Sequence, residues 1–357
     1  MVTKASWAVS SYDRNDLSAI GQFFRHVYTG YGAHGSMEYF QWKIIENPLK
    51  PGVINLVWTP TGIGSVASLT PKVLLFKGQP LLAAEIGDTF TDPAYQRQGM
   101  FSLLVNQTRV DGNNLGIDFI YGTPNDQSLP GYEKHTDFKP IAGIEVIALN
   151  FPVHIVWALQ TRLPWIIAST FGFLWTLLVQ LWVWVQRLLN ARHDWRIEKV
   201  SVLPIDWDSF WEEARSTSDF LFSRERNFLK WRYFDNPNCY HVLIARRAGR
   251  ICGYLVYRLV ADERMPTLRI ADYLSAPGEE SVIVSLINSA VRAALEMGAV
   301  KVSAWCPSSN PYFRQFRAYG FQRGGAIPVI CHQSTFAKKM QQECQTWHFS
   351  LGDSDNV

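Results

Sequence analysis

No two cysteines in this chain stand at C-x-x-C spacing. All five, Cys239, Cys252, Cys306, Cys331 and Cys344, fall in the second half. An odd, scattered set suits a reducing compartment and argues against a disulfide framework or a structural zinc site. His26, His34 and His135 are equally scattered, so no metal site is expected. The opening MVTKASWAVSSYDRND has no apolar core of signal-peptide length, and secretion is not expected. Excess charge is also scarce. A net charge of +3 gives no support for a nucleic-acid partner, which needs a concentrated basic face. With 47% apolar and only 18% charged residues the chain is not disordered. Its 357 residues suffice for two ordinary domains or one large one.

What is present is a repeat. YFQWKIIENP (Tyr39 to Pro48) returns as FLKWRYFDNP (Phe228 to Pro237), with Trp42 matching Trp231 at an offset of 189. Downstream, GDTFT at Gly87 matches ADYLS at Ala271, PND at Pro124 matches PSS at Pro307, and DF at Asp137 matches GF at Gly320. The order is kept and the offset drifts by only a few residues, which points to two copies of one fold.

Each copy reads as mixed α/β. RNDLSAIGQFFRHVY has helical spacing, with Asn15 or Asp16 available as a cap, and DWDSFWEEARS is its counterpart. GVINLVW reads as a strand, and VASLTPKVLLFKGQPLLAAEIGDTFT as two strands around a turn at Lys77-Gly78. FSLLVNQTRVDGNN is a helix with one apolar face and DFIYGTP a short buried strand. Strand, turn, helix and strand make a βαβ unit whose crossover helix starts at Gly99. A helix start offers unpaired N–H groups and the positive end of the helix dipole, and a glycine there lets backbone approach an anion closely.

The loop Gln96-Arg97-Gln98-Gly99-Met100-Phe101 resembles the pyrophosphate-binding (Q/R)-x-x-G-x-(G/A) loop of the GCN5-related N-acetyltransferase family, with Phe101 departing from the final small residue. TPNDQSLPGYEKHTDF is similar to the second signature of that family, with Asp137 in place of its glycine. The resemblance covers roughly residues 10 to 145 and returns weakly over 205 to 335, where FRAYGF keeps the second signature. It implies acyl transfer from acyl-coenzyme A, acetyl-CoA or another acyl-CoA, to an amine, with no metal. By the same resemblance the backbone N–H of Phe90 or Thr91 polarises the thioester carbonyl, Asp88 or Glu85 is the general base, Tyr132 protonates the departing thiolate, and Asn125 meets the pantetheine arm. Asp88 is preferred to Glu85 because it lies nearer the strand end. The two point to opposite faces of a regular strand, and both serve only if a bulge intervenes. In the second copy Glu279 and Glu280 stand where the phosphate loop belongs. They would repel a pyrophosphate, so only the first copy is expected to bind coenzyme A.

Between the copies, LPWIIASTFGFLWTLLVQLWVWVQ (Leu163 to Gln186) carries no charge and is long enough to span a membrane. Arg187, Arg192 and Arg196 would place its C-terminal end in the cytoplasm and the first copy outside, away from acyl-CoA. A single span therefore conflicts with the chemistry. Ser169, Gly172, Thr176, Gln180 and Arg187 form a narrow polar stripe, with Trp157, Trp165, Trp175, Trp182 and Trp184 in or near the segment. Such a segment is expected to lie in a membrane interface, as a hairpin with FPVHIVWALQTRL, making peripheral contact through residues 151–190.

The expected fold is therefore mixed α/β. It has two tandem acetyltransferase-like domains, each a twisted, mostly antiparallel sheet flanked by helices, joined by a hydrophobic helical connector. Boundaries are expected at 1–149 for the first domain, 150–199 for the connector, 200–340 for the degenerate second domain and 341–357 for a tail. The expected activity is N-acetyl transfer to a small-molecule or saccharide amine, such as an amino sugar, in the cytoplasm or on the inner face of the membrane. Two alternatives are an aminoacyl transferase of the kind that builds cell-wall peptides and a non-catalytic, membrane-associated binding protein with a relict fold.

Overall fold

The computed structural model describes residues 7–27, 36–49, 52–260 and 265–354, which leaves His34 outside the described residues. The first stretch holds β1 (Ala8–Ser11), α1 (Leu17–Val27), α2 (Met37–Phe40), β2 (Val53–Thr59), β3 (Gly62–Phe76) and β4 (Gln79–Thr91). Then come α3 (Met100–Asn114), β5 (Phe119–Gly122), α4 (Leu129–His135), β6 (Phe138–Pro140), β7 (Val146–Pro152), α5 (Val156–Gln160) and α6 (Trp165–Asn190). The second copy opens with β8 (Arg196–Val200), α7 (Trp207–Ala214), β9 (Phe220–Phe222), α8 (Arg226–Leu229), β10 (His241–Arg247) and β11 (Arg250–Val260). It continues through β12 (Thr267–Ser275), α9 (Val282–Glu296), β13 (Lys301–Pro307), α10 (Pro311–Tyr319), β14 (Gln322–Ile327), β15 (Ile330–His332) and α11 (Thr335–Glu343).

Two compact units emerge, and neither is a continuous stretch of chain. The first comprises Met1–Gly143, Asp235–Asn238 and Pro328–Gln345; the second comprises Ile144–Phe234, Cys239–Ile327 and Thr346–Val357. In the first unit the strand order is β1-β2-β3-β4-β5-β15-β6, antiparallel except where β4 runs parallel to β5. In the second it is β14-β7-β13-β12-β11-β10-β8, antiparallel except where β12 runs parallel to β13. The compact units therefore do not follow breaks at 149, 199 and 340. β7, early in the chain, is built into the second sheet, and β15, late in the chain, fills the place between β5 and β6 in the first. The connector helices α5 and α6 belong to the second unit.

The sheet of the first unit has a core on each face. Val53, Leu69, Ala84, Ile86 and Ile120 meet Val105 of α3, while Ile44, Leu56 and Val66 meet Ile20 and Phe24 of α1 and Phe40 of α2. The β3–β4 hairpin turns through Lys77 and Gly78, with φ of 50° and 76°, as a two-residue loop of right-handed strand twist requires. The sequence repeat has a structural cause. In both copies a short helix runs into one π-helical turn, Gln41–Ile45 and Lys230–Phe234, with Trp42 and Trp231 buried. Two residues past each turn an asparagine closes the next bend: Asn47 Oδ1 accepts from the Leu49 N–H and Asn236 Oδ1 from the Asn238 N–H. All five cysteines are free thiols.

Candidate active site

β4 and β5 pair only from Ala83 to Glu85, opposite Phe119 to Tyr121, and then part. β4 continues alone on that side from Ile86 to Thr91. Its register against β3 slips in this stretch: Ser68 pairs with Gly87 but Val66 with Phe90. One extra residue on β4 is a β-bulge, and Asp88 sits in it with φ of 47°. The bulge flips the facing of the strand. Ala84 and Ile86 join the α3 core, whereas Phe90 beyond the bulge packs toward α1, edge-on to Phe23 at 6.2 Å.

That flip brings Glu85 and Asp88 to one face, the condition under which both could serve. They are nonetheless in different states. Glu85 is buried, accepting from Lys72 Nζ at 2.6 Å and Thr123 Oγ1 at 3.1 Å, and the same lysine reaches the Tyr121 hydroxyl at 2.9 Å. Asp88 remains partly exposed, its Oδ2 accepting from Lys43 Nζ at 2.8 Å and Ser68 Oγ at 2.8 Å. Sequence reasoning missed these partners. Ser68, Thr70 and Lys72 form a period-two polar row in an apolar strand, and Lys43 occupies the repeat position matched by Arg232; either signal could have found them.

Past the bulge, Asp92 N–H donates to Gly64 C=O at 2.9 Å, across the Ser65–Thr91 pair. This makes Ser65–Thr91 a wide pair, so the amide of Phe90 faces β3 and that of Thr91 faces away, on the side β5 has left. Phe90 is further tied to β3 because Ser65 Oγ donates to its carbonyl at 2.8 Å. Of the two proposed polarising groups, Thr91 N–H is the one directed outward.

Gln96, Arg97, Gln98 and Gly99 are exposed. The Gln96 side chain donates to the Thr91 carbonyl at 3.3 Å. Gly99 caps α3 in the left-handed region at φ 83°, and a Cβ there would meet nothing within 4 Å. Arg97 is left-handed too, at φ 63°. The first helical bond runs from Leu103 N–H to Gly99 C=O, so the amides of Met100, Phe101 and Ser102 are those of an open first turn. Met100 is buried beneath the turn with Val57, Ala67 and Leu104. Phe101 does not fill the opening. Its ring turns back onto α4, edge-on to Tyr132 at 5.0 Å and against Gly131.

Tyr132 is buried between Phe101 and Phe138, with its hydroxyl 3.0 Å from Thr89 Oγ1 on the unpaired part of β4. Burial raises its pKa well above the ordinary phenol value, which keeps the proton on the ring oxygen. Asn125 spends its Oδ1 locally, accepting from the Gln127 and Ser128 amides and closing the turn into α4.

The second unit has the same parts in another condition. β12 leaves β13 after Arg269, opposite Ser303, and also bulges, between Ile270 and Asp272. Asp272, the counterpart of Asp88, is fully buried, 2.7 Å from Arg224 and 2.7 Å from the Tyr254 hydroxyl. Ala276 N–H donates to Cys252 C=O as Asp92 does to Gly64, which turns the Ser275 amide outward like that of Thr91. Here that amide is already taken, by the Tyr312 hydroxyl at 3.0 Å. The gap itself holds the chain's own Trp347 to Ser350, with His348 stacked edge-on against Tyr273 and Tyr312. Glu280 accepts from the Gly278 amide and Glu279 pairs with Arg247, so both carboxylates stand before α9 as the sequence places them.

No protein-family model matches the chain, and no curated protein matches it in sequence. Solved structures do match in fold. A conserved protein from Enterococcus faecalis V583, described as a probable N-acyltransferase, superposes with a TM-score of 0.62 at 14% identity, over 92% of this chain and 72% of that one. Saccharomyces cerevisiae N-myristoyltransferase with bound myristoyl-CoA gives 0.61 at 10% identity, over 93% and 84%. A GCN5-related glucosamine N-acetyltransferase region in a fungal multi-domain β-N-acetylglucosaminidase gives 0.57 at 12% identity, over 92% of this chain and 38% of that one. The chain has the GCN5-related N-acetyltransferase fold, in two acetyltransferase-like halves.

Proposed function

We propose that the chain is an acyl-CoA-dependent N-acyltransferase whose active site lies in the first unit. The observation that carries this reading is the open, left-handed helix start at Gly99 beside the parting of β4 and β5. The amides of Met100 to Ser102 receive the pyrophosphate of coenzyme A at the positive end of α3. The acyl-pantetheine arm lies along β4, where Thr91 N–H polarises the thioester carbonyl. The acceptor amine loses its proton to Asp88 and attacks the carbonyl carbon. The C–S bond breaks, and the Tyr132 hydroxyl gives its proton to the thiolate. Glu85, enclosed with Lys72, holds the strand pair rather than exchanging protons with an acceptor. Asn125, with its oxygen closing a turn, keeps only its amide hydrogens for the pantetheine arm.

An acetyl group and an amino-sugar acceptor are the favoured substrates, in keeping with the glucosamine N-acetyltransferase region among the similar folds. The test is calorimetric titration of acetyl-CoA into the full chain, with thiol release in the presence of glucosamine as the activity readout. Wild type should bind one equivalent. Gly99→Glu should abolish binding, and Gln98→Glu, which adds charge without left-handed strain, should weaken it at least about tenfold. Wild type that binds no acyl-CoA overturns the reading.

A further inference from the structure

α6 is held along one side only. Its buried residues are Ala168, Gly172, Val179, Val183 and Gln186, and the anchors are polar as well as apolar. Gly172 packs on Val156, Trp175 Nε1 donates to the Pro152 carbonyl, and Trp182 Nε1 donates to the Tyr319 carbonyl at 3.0 Å. Asn288 donates to the Val183 carbonyl at 3.1 Å. The polar stripe read in the sequence is thus partly a packing seam: Gly172 lies in it, while Gln180 and Arg187 are exposed. The opposite face is apolar over the whole helix, with Ile166, Phe173, Leu181, Trp184 and Leu188 each more than half exposed. It is the only helix among the described residues long and apolar enough to cross a membrane. A soluble surface seldom carries such a patch without a partner.

We propose that this face docks in the plane of an anionic lipid bilayer. Charge selects the occupant. Between Glu145 and Asp194 there is no acidic residue, while Arg162, Arg187 and Arg192 flank the face and are exposed. Anionic headgroups complement those arginines. A second copy of the chain, meeting this face with its own, would set arginine against arginine with no carboxylate between. The face also suits hydrocarbon: the Thr170 hydroxyl is satisfied within the helix by the Ile166 carbonyl at 2.9 Å. Trp165 and Trp184 are exposed on it, and along an in-plane helix both indoles lie at the headgroup boundary that indoles favour. The anchors decide the orientation. They run from Gly172 to Gln186, so a spanning helix would draw α9 and α10 into the hydrocarbon, with Arg314 and Arg317 on α10. An in-plane helix of about 39 Å leaves them in water.

Flotation of the full chain tests this, using vesicles of phosphatidylcholine alone and of phosphatidylcholine with phosphatidylglycerol. The chain should float with the anionic vesicles. Phe173→Glu with Leu181→Glu, at exposed positions, should keep the wild-type melting temperature and lose flotation. Arg187→Gln with Arg192→Gln should weaken anionic-vesicle binding about 10–30-fold. A fluorophore at Leu177→Cys, with Cys239 and Cys344 replaced by serine, should sit at interfacial depth. Wild type that stays unbound to both vesicles, or a glutamate pair that floats like wild type, overturns the proposal. So does a wild-type dimer in solution that the glutamate pair dissociates. A label at the bilayer centre overturns the in-plane orientation.

Discussion

The aligned strands Gly87 to Thr91 and Ala271 to Ser275 end the same way and are kept differently. Every residue of the first stretch is partly exposed, and every residue of the second is buried. Both have the bulge, the strand carboxylate and the outward amide. In the first unit Lys43 holds the carboxylate from the π-helical turn and leaves it at the surface. In the second, the matching Arg232 holds the Gly352 and Ser354 carbonyls of the segment that seals the gap. A candidate active site and structural filler can therefore come from one backbone template. The difference lies in whether the parted strands stay partly exposed or are covered by residues 347–350.

One substitution made in both copies separates the two strand carboxylates. Asp272→Asn removes a carboxylate from a sealed network that also includes Asp353, 2.7 Å from Arg224. Leaving that arginine under-paired should cost about 3–5 kcal/mol in urea unfolding. Asp88→Asn takes the charge facing the buried Lys43 but keeps a hydrogen-bonding oxygen in a partly exposed place, so it should cost less, about 1–3 kcal/mol, and lower kcat about 10²–10⁴-fold. Equal stability losses in the two variants would show that Asp88 is structural after all.

His348 separates the units by pH. It is completely buried, neither ring nitrogen meets a hydrogen-bond partner among the described residues, and burial with Arg224 nearby lowers its pKa from 6.5 to about 4. The unfolded chain takes up this proton near pH 6.5 but the folded chain only near 4. Its neutral form is thus no burden above about pH 6.5, and stability falls as pH drops from there to about 4, by about 3 kcal/mol in all. His348→Phe should remove that part of the acid sensitivity, measured as the difference between unfolding free energies at the two ends of this range. A variant as acid-sensitive as wild type would mean the ring is solvated.

The repeat, the βαβ crossover, the hairpin turn and the glycine helix start were all legible, because each follows from local spacing or backbone chemistry. The state of the candidate residues was not. Glu85 and Asp88 are alike in sequence, and only the bulge, set by pairing with β3, decides that they share a face. Their lysines come from positions 72 and 43, and no local pattern pairs them. The strand exchange was hidden for the same reason. Ile330–His332 is a three-residue strand whose place between β5 and β6 depends on partners near 121 and 139.

A smaller contrast separates two tyrosines. Tyr312→Phe would leave the buried Ser275 amide without its acceptor, an unfolding loss of about 1–3 kcal/mol. Tyr132→Phe keeps its packing on Phe101 and Phe138 and loses only the bond to Thr89, about 1 kcal/mol, while slowing thiol release. A Tyr132→Phe enzyme of undiminished turnover removes the tyrosine from the proton path.

The smallest expected effect is the most discriminating about what would bar coenzyme A from the second unit. Charge and space are separate reasons. Glu279 and Glu280 oppose a pyrophosphate, but Trp347 to Ser350 fill the gap where the arm would lie, and Tyr312 occupies the amide that would meet a carbonyl. If space decides, Glu279→Gln with Glu280→Gln leaves acyl-CoA binding at one equivalent per chain and costs only the partly exposed pair with Arg247, about 1 kcal/mol. Calorimetric stoichiometry reads this directly. A second equivalent in the double variant would make charge the sole barrier and would mean that residues 346–354 yield to the ligand.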